Sequence, residues 1–586
     1  MSKSTQNLLL IAAFTAVYAF IGLATTNNYY LTVLTLAPVW AILGISWNIL
    51  GGYAGQVSFG HAAFFGLGAF TVALLQERLD VTPLIGLPAG VLVAALAGFI
   101  LGLPSFRLKG SYFSLAMLAF PFVLMNVFEW VGFHETTLPM KRTGAGWFLQ
   151  FPDHRVLLLI VLFALAAALI ICDAVGRSQF GIELRALRED ELAAETAGID
   201  TYRHKMRAML ISAAIAGASG GLYVIVLGVV TPAAVFGLLT SAQALVVTLF
   251  GGVGALWGPV VGALILIPLS ELLYAVLGSH VPGIQGALFG LAIMVSVLLA
   301  PEGILWRIID FRERRNVEPT TATPAATSKL TSVGPRADLD KPVILKVEGV
   351  SRSFGGVRAV SNASFDVRGA SITGIIGPNG AGKSTLFNCL NGITKPDAGT
   401  ITYQQRSLEG MPPHQVCRLG VARTFQVPRV FPRMTLLENV MVSAAAAPTG
   451  AGLPADLARD ALAIVGLEAV ESRLAATLGV RDARLLELAR ALASQPKLVL
   501  MDEPFAGLGQ AETAEMVRRV QVLPSHGIAV LIVEHTMQAM LQLAERLIVL
   551  DRGSVLAAGD PLDVVKDPRV IEAYLGEAWS RDLAHA

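Results

Sequence analysis

Gly377-Pro378-Asn379-Gly380-Ala381-Gly382-Lys383-Ser384-Thr385 fits G-x-x-x-x-G-K-[ST], the pattern of a phosphate-binding loop. Ser371-Ile372-Thr373-Gly374-Ile375-Ile376 reads as a short buried strand before it, and Thr385-Leu386-Phe387-Asn388-Cys389-Leu390 as the start of a helix after it. That strand–loop–helix setting is what the motif needs. Glycines let the backbone aim its N–H groups at phosphate oxygens, and the helix N-terminus adds a favourable dipole. Lys383 is placed to reach the β- and γ-phosphates and the Ser384 hydroxyl to ligate Mg²⁺.

Two further strands complete the chemistry. Leu498-Val499-Leu500-Met501-Asp502-Glu503 delivers two carboxylates at its C-terminal end. An Asp there holds Mg²⁺ through water, and the adjacent Glu polarises an attacking water. Ala529-Val530-Leu531-Ile532-Val533-Glu534-His535 ends in a histidine placed to sense a γ-phosphate. Val343–Val347 and Ala363–Val367 read as strands, with Phe354-Gly355-Gly356 in the turn between them.

Upstream the chain changes character. Overall it is 54% hydrophobic and only 15% charged, against roughly 25% charged in ordinary soluble proteins. A spanning helix needs about 20 apolar residues. About ten such runs precede Trp306, at 8–24, 31–50, 57–75, 84–103, 112–131, 156–171, 209–230, 238–257, 260–277 and 284–305. Lys3 before the first run resembles a signal-peptide start, but no small-residue cleavage pattern follows, so the run is read as a retained helix. Glycine-rich breaks around the third, eighth and ninth runs suggest half-helices or tight turns.

Lys and Arg in short loops set the orientation. Arg107 and Lys109, the group from Arg177 to Arg207, and Arg307, Arg312, Arg314 and Arg315 all fall on one side when the span number is even. That side is the cytoplasm, and both chain ends lie there. Lys141 and Arg142 fall outside and disagree mildly. Gly217 with Gly221, and Gly258 with Gly262, have the spacing of close helix–helix approach. His61, Glu129, Asp173 and Glu271 are the ionisable residues within the runs. Residues 183–199, in the longest inside loop, are rich in helix formers, carry a small apolar stripe and end at Gly198. Such a helix suits docking on a partner.

The expected domains are a permease-like membrane domain over 1–315, a Pro-, Thr- and Ala-rich tether over 316–342, and a nucleotide-binding domain over 343–586. Cys172, Cys389 and Cys417 lack metal-ligand spacing and any disulfide framework. A net charge of +1 gives no global pull toward nucleic acid.

Taken together, residues from about 343 to 576 resemble the nucleotide-binding domain of ABC transporters. By motif, the resemblance makes Phe354 the aromatic that stacks on adenine and residues 377–385 the Walker A loop, with Gly377, Asn379, Gly380, Gly382, Lys383, Ser384 and Thr385 on the nucleotide. Gln426, in Arg423-Thr424-Phe425-Gln426, becomes the Q-loop glutamine on Mg²⁺, which Ser384 and Asp502 also serve. Glu503 becomes the catalytic glutamate, Ala506-Gly507-Leu508 the D-loop and His535 the switch histidine. The ending from Asp567 to Gly576 looks like that of LivG-type subunits of branched-chain amino acid importers. The membrane half, over about residues 31–305, resembles LivM-type permeases through residues 50–66 (Leu50-Gly51-Gly52-Tyr53-Ala54-Gly55-Gln56-Val57-Ser58-Phe59-Gly60-His61-Ala62-Ala63-Phe64-Phe65-Gly66), residues 181–198, and Leu249-Phe250-Gly251-Gly252-Val253-Gly254-Ala255-Leu256-Trp257-Gly258-Pro259.

The chain therefore looks like a fused permease and ATPase, importing branched-chain or related amino acids across a bacterial inner membrane with ATP and Mg²⁺. The resemblance implies a second permease subunit (LivH-like), a second ATPase subunit (LivF-like) and an external binding protein, with residues 189–198 as the coupling helix. One departure stands out. The family's ABC signature falls where this chain reads Leu478-Gly479-Val480-Arg481-Asp482, without the usual serine and glycine that face phosphate. Gly509 also stands where Asp or Asn is usual after the D-loop leucine. Short inside loops argue against an exporter. A non-transporting membrane ATPase with a sensing or regulatory role is the alternative, resting on that departure.

Overall fold

In the computed structural model the described residues are 3–108, 110–141, 146–277, 283–299, 303–305, 341–535 and 537–575. They fall into two compact units, the first drawn from Met1–Arg188 and Tyr202–Ala322, the second from Glu189–Thr201 and Thr323–Ala586. The tether expected over 316–342 lies, up to residue 340, outside the described residues, as do Lys109, Arg142, Arg307, Arg312, Arg314, Arg315 and Gly576.

The first unit is helical: α1 Lys3–Ala24, α2 Asn28–Trp47, α3 His61–Leu79, α4 Pro83–Ser105, α5 Ser111–Val131, α6 His154–Arg177 and α7 Gln179–Glu189, then α9 Thr201–Leu227, α10 Pro232–Phe236, α11 Leu238–Gly251, α12 Gly258–Leu277 and α13 Ile284–Leu299. The short helix α8, Glu191–Thr196, belongs to the second unit. Runs this apolar must satisfy their backbone groups internally, and the helix does so. Among the described residues nine helical stretches are long and apolar enough to cross a membrane. Ile284–Leu299, at 16 residues, covers part of the tenth run.

The central element is α2 with the π-turn Asn48–Tyr53 that continues it, 89% of whose apolar window is buried. The glycine-rich break expected before the third run is thus a π-turn through Gly51 and Gly52 and an irregular stretch to Gly60. The break before the eighth run is a half-helix, α10, separated from α11 by Gly237. Small residues let backbones touch, as the glycine spacing suggests. A Cβ on Gly262 would lie 1.8 Å from the Val247 carbonyl oxygen, and one on Gly217 would lie 2.5 Å from Ala94 Cβ. His61 is fully buried at the start of α3, its Nε2 2.9 Å from Ser212 Oγ, and Ser212 in turn donates to the Ser46 carbonyl at 2.7 Å. Thr136–Thr137 (β1) pairs antiparallel with Val229–Val230 (β2).

The second unit is α/β. Strands β3 Val343–Phe354, β4 Val357–Arg368, β6 Ala398–Tyr403 and β7 Arg406–Ser407 form an antiparallel sheet in the order β4-β3-β6-β7. Strands β5 Ile372–Ile376, β8 Val421–Arg423, β9 Leu498–Asp502, β10 Ala529–Val533, β11 Arg546–Asp551 and β12 Ser554–Gly559 form a six-stranded sheet, β12-β11-β5-β10-β9-β8. All its pairings are parallel except the β11–β12 edge. Strands β5, β9 and β10 are buried at every residue, as unbroken apolar runs covered on both faces should be. The helices that matter below are α14 Lys383–Leu390, α15 Pro413–Arg418, α16 Leu436–Ala444, α17 Pro454–Val465, α18 Val480–Ala493 and α19 Gln510–Val522. Helices α16, α17 and α18 pack on one another around Leu436, Val440, Leu462, Leu485 and Ala489.

Candidate nucleotide site and docking segment

Ligands of open parallel sheets sit beyond the C-terminal ends of the strands. Strands β5, β10 and β9 are neighbours in register, so the loop after β5, Asp502 and Glu503 at the end of β9 and His535 beyond β10 emerge side by side. The loop is forced tight. A Cβ on Gly377 would sit 2.2 Å from the Leu550 carbonyl oxygen, and one on Gly382, at φ +94°, would sit 2.0 Å from that of Ala359. Gly382 caps α14, so Lys383, Ser384 and Thr385 form its first turn. Lys383 folds back over the loop, Nζ donating to the Gly377 and Pro378 carbonyls at 2.7 and 3.0 Å. Burial lowers its pKa, while the charges of Glu503 and Asp502 pull the other way. Lysine thus rests where phosphate oxygens would replace its two carbonyl partners.

Glu503 sits at φ +47°, a left-handed conformation uncommon for a residue with a side chain. Its N–H donates to the Val533 carbonyl of β10 at 2.9 Å, which ties the bend to the sheet. Gln426 Nε2 donates to Glu503 Oε2 at 2.8 Å, and His535 Nδ1 is 4.0 Å from the same oxygen. Gln426, Glu503 and His535 therefore form one cluster. Phe354 ends β3, in the antiparallel sheet, and is half-exposed with the Arg352 guanidinium 4.8 Å from its ring centre. Ser384, the second residue of α14, is exposed.

The donor set for Mg²⁺ can be tested on Asp502. Its Oδ2 accepts from Arg423 Nη2 at 3.2 Å, whereas Oδ1 is buried with no hydrogen-bond partner. A buried carboxylate oxygen without a partner is costly, and a hard cation or its water supplies one. Burial raises the Asp502 pKa; the Arg423 cation opposes that rise. Among the described residues no group of three or more His, Cys, Asp or Glu could hold a metal ion.

Several residues around this cluster have no sequence motif. Arg423, at the end of β8, bridges Asp502 and Asn388 Oδ1, the latter at 2.7 Å. Glu534 is completely buried and accepts the Phe505 N–H at 2.9 Å, which fixes the turn after Glu503; burial raises its pKa. Arg484 on α18 donates to the carbonyls of Phe425, Gln426 and Ala506 at 2.9, 2.5 and 3.2 Å. Charged residues at the ends or on the inner face of otherwise apolar elements were the available signal, but their partners lie far away in sequence.

The strand of chain after Gln426 leads to the docking segment. Arg429 N–H donates to Glu487 Oε1 at 3.2 Å, and the Arg429 carbonyl accepts from Arg490 Nη1 at 2.5 Å. The Arg429 guanidinium donates to Asp190 Oδ2 at 2.7 Å. The loop helix expected over 183–199 is broken at this residue. Asp190 takes an extended conformation, and its side chain caps α8 by accepting the Ala193 N–H at 2.9 Å. A side chain that satisfies the backbone of a new helix ends the old one. Helix α8 packs on α15, with Arg418 Nε donating to the Gly198 carbonyl at 3.1 Å and His414 within 3.8 Å of Glu195 and 3.7 Å of Asp200. Gly198 has φ +96°, and a Cβ there would meet Ala446 Cβ at 2.4 Å. Asp190→Ala removes both the cap, worth about 1 kcal/mol, and the partner of Arg429. The expected result is ATP hydrolysis that continues while substrate uptake falls several-fold, measured on the same reconstituted preparation.

At Leu478–Asp482 the chain forms the start of α18. Gly479 is the cap residue without a side-chain cap bond, and Val480 is exposed. Arg481 is tied to Glu515 of α19, with Nη2 2.9 and 2.7 Å from its two carboxylate oxygens, and its Nη1 lies 3.2 Å from Asp482 Oδ1. Burial raises the Glu515 pKa, but bonds from Arg519 and Arg481 outweigh it and hold the carboxyl below its ordinary range.

A family model described as the permease component of branched-chain amino acid transport systems matches residues 29–298. A second, described as ABC transporter, matches 360–506, and a third, described as branched-chain amino acid ATP-binding cassette transporter, matches 554–579. The chain is 42% identical over 251 residues to the high-affinity branched-chain amino acid transport ATP-binding protein LivG of Salmonella typhimurium, covering 40% of this chain and 98% of LivG. It is 38% identical over 251 residues to BraF, a protein of the same description from Pseudomonas aeruginosa, covering 40% of this chain and 98% of BraF. Among solved structures, a nucleotide-free ATP-binding cassette from an ABC transporter is 31% identical, with a TM-score of 0.37, covering 40% of this chain and all of that one.

Proposed function

Because the chain belongs to the branched-chain amino acid family of ABC transporters, with a permease half and an ATP-binding half in one polypeptide, we propose that it imports branched-chain amino acids by hydrolysing ATP. The observation that carries this reading is the continuous set of contacts from Glu503 through Gln426 to Arg429 and Asp190, which places the docking segment three residues of backbone from the reactive end of β9.

The roles follow the geometry. The backbone of residues 377–385 cradles the phosphates, and Lys383 exchanges its two carbonyl partners for β- and γ-phosphate oxygens. Phe354 stacks on adenine. Ser384, Gln426 and Asp502 are the residues that would hold Mg²⁺, whose charge would offset that of the phosphate oxygens. Glu503 polarises the attacking water and His535 faces the γ-phosphate. Gln426 donates to Glu503 and is joined by three residues of backbone to Arg429 on Asp190, so a rearrangement of Gln426 around a bound nucleotide would pass to the docking segment. Such a rigid-body change in the docking segment is the kind that reorients helices around a translocation path.

The assembly that completes the transporter contains a second permease subunit of LivH type, a second ATPase subunit of LivF type with an intact signature, and an external binding protein that delivers the amino acid. Its place is the bacterial inner membrane, with residues 343–586 as the ATPase domain in the cytoplasm and 316–342 as the tether. Lys383→Ala removes the charge that meets the phosphates, and uptake falls to background.

Whole-cell uptake of labelled leucine tests the substrate class. Excess isoleucine or valine is expected to compete, and excess urea, short amides or aromatic acids to leave uptake unchanged. Competition only by the latter group would move the substrate outside the branched-chain class.

A further inference from the structure

We propose that Glu487 is a positioning residue for coupling: with Arg490 it fixes Arg429 to α18, so that the docking contact with Asp190 is aimed by α18 and not by the segment after Gln426 alone. The inference rests on the import reading above, with residues 189–198 as the docking segment.

Residues 426–431 belong to no helix or strand, so no ladder satisfies their backbone groups. Such groups need other partners when buried. Helix α18 supplies them at three-residue intervals. Arg484 donates to the carbonyls of Phe425 and Gln426. Glu487 Oε1 accepts the Arg429 N–H at 3.2 Å, and Arg490 Nη1 donates to the Arg429 carbonyl. Both backbone polar groups of Arg429 are thus held by side chains of one helix. Its guanidinium, 5.1 Å from the Phe425 ring centre, then reaches Asp190 Oδ2 at 2.7 Å.

The Glu487–Arg490 pair is a poor choice for packing alone. The two side chains are only 1% and 5% exposed, and Arg490 Nη2 lies 3.7 Å from Glu487 Oε1. Withdrawing two charges from water is expensive, and apolar residues of similar volume often pack as stably. Apolar residues could not supply the acceptor and the donor that Arg429 uses. Burial disfavours the Arg490 cation, and the carboxylates of Glu487 and then Asp190 support it. Glu487 therefore keeps Arg490 from competing for the carboxylate that Arg429 holds. Because α18 begins within Leu478–Asp482, this clamp passes to Asp190 the position of the element that, in the dimer implied by the family, meets the partner's nucleotide.

Hydrogen exchange on the assembled transporter in detergent, with and without ATP, reads the docking segment whatever the substrate is. In the wild type, ATP is expected to change exchange at residues 189–198 as well as at 377–385. In Glu487→Gln the change at 377–385 should remain and the change at 189–198 should be lost. Glutamine keeps the size of the side chain and an acceptor for the Arg429 N–H, but it leaves Arg490 to turn toward Asp190. In proteoliposomes, leucine taken up per phosphate released should fall about fivefold while hydrolysis continues, within the range by which single residues of such networks change coupling. Adding Glu487→Gln to Asp190→Ala should lower that ratio no further than Asp190→Ala alone, because both act through Arg429. A role in stability alone would instead make the two losses multiply. Arg490→Lys is the second variant should Glu487→Gln not fold. It keeps the cation beside Glu487 and gives up the planar fork that reaches Arg429, and the same loss at 189–198 is expected. A wild-type response at 189–198 in the folded variant, no response there in the wild type, or losses that multiply would overturn the proposal. The expected exchange result in a wild-type preparation that accumulates no leucine would uphold the clamp and remove the import reading instead.

Discussion

Glu503→Gln in the assembled transporter is expected to leave ATP binding near wild type and to lower turnover by about 10²–10⁴-fold. Binding uses the loop of residues 377–385 and Lys383, whose contacts do not involve the 503 side chain. The bend at φ +47° is held by the backbone bond to Val533 and by Glu534 on the Phe505 N–H, neither of which the substitution touches. Glutamine keeps the size of the side chain and its hydrogen bonding with Gln426, but it cannot draw a proton from water. Nucleotide binding and phosphate release on the same sample separate the two effects. Unchanged turnover, measured with the partner's own catalytic glutamate already replaced, would remove Glu503 from the chemistry.

The second large effect is asymmetry between the two ATP sites. In the dimer implied by the family, each ATP lies between the Walker A loop of one subunit and the signature of the other. The signature this chain would offer is the start of α18, and it lacks the usual serine and glycine. Arg481 is the natural substitute for the lost donors, yet its guanidinium is engaged in three bonds to Glu515, whose carboxylate Arg519 also holds at 2.8 Å. Asp482, third residue of the helix, adds negative charge at the same end. Loss of a positioned donor costs about 2.7–4 kcal/mol at a transition state in the best-measured enzyme case, or about 10²–10³ in rate. The site formed by Lys383 and Glu503 with the partner's signature should therefore carry turnover. The opposite site should bind ATP and hydrolyse it slowly. Replacing the catalytic glutamate in each subunit separately reads this directly: Glu503→Gln nearly abolishes hydrolysis, and the partner's equivalent change has a small effect. Equal losses, or brisk hydrolysis by this chain purified alone, would contradict it.

The sequence made some of this plain because the information was local. A strand, a glycine loop and a lysine at a helix start are neighbours in the chain, so the nucleotide-binding fold could be read from Ser371 to Leu390 alone. The spans were legible for the same reason, since apolar length is a property of each run. What was hidden depends on distant partners. Arg484 reaches Phe425 and Gln426 across about 59 positions, and Glu534 fixes a turn 29 positions earlier. Strands β3 and β4 run longer than their apolar cores because they pair with each other through alternating exposed residues. The break at Asp190 was hidden by good helix formers on both sides; only its capping bond to Ala193 shows why one helix became two. At residues 48–53 the Gly51-Gly52 pair marks a break, but nothing in the composition says that the break takes the form of a π-turn.

The most direct test of the whole account is accumulation of labelled leucine in proteoliposomes holding this chain with its partner subunits, with binding protein on the outer side and ATP enclosed. The account predicts accumulation that requires enclosed ATP and Mg²⁺ and disappears with Glu503→Gln. Robust hydrolysis without accumulation of any branched-chain amino acid would contradict it and leave a membrane ATPase that does not transport them.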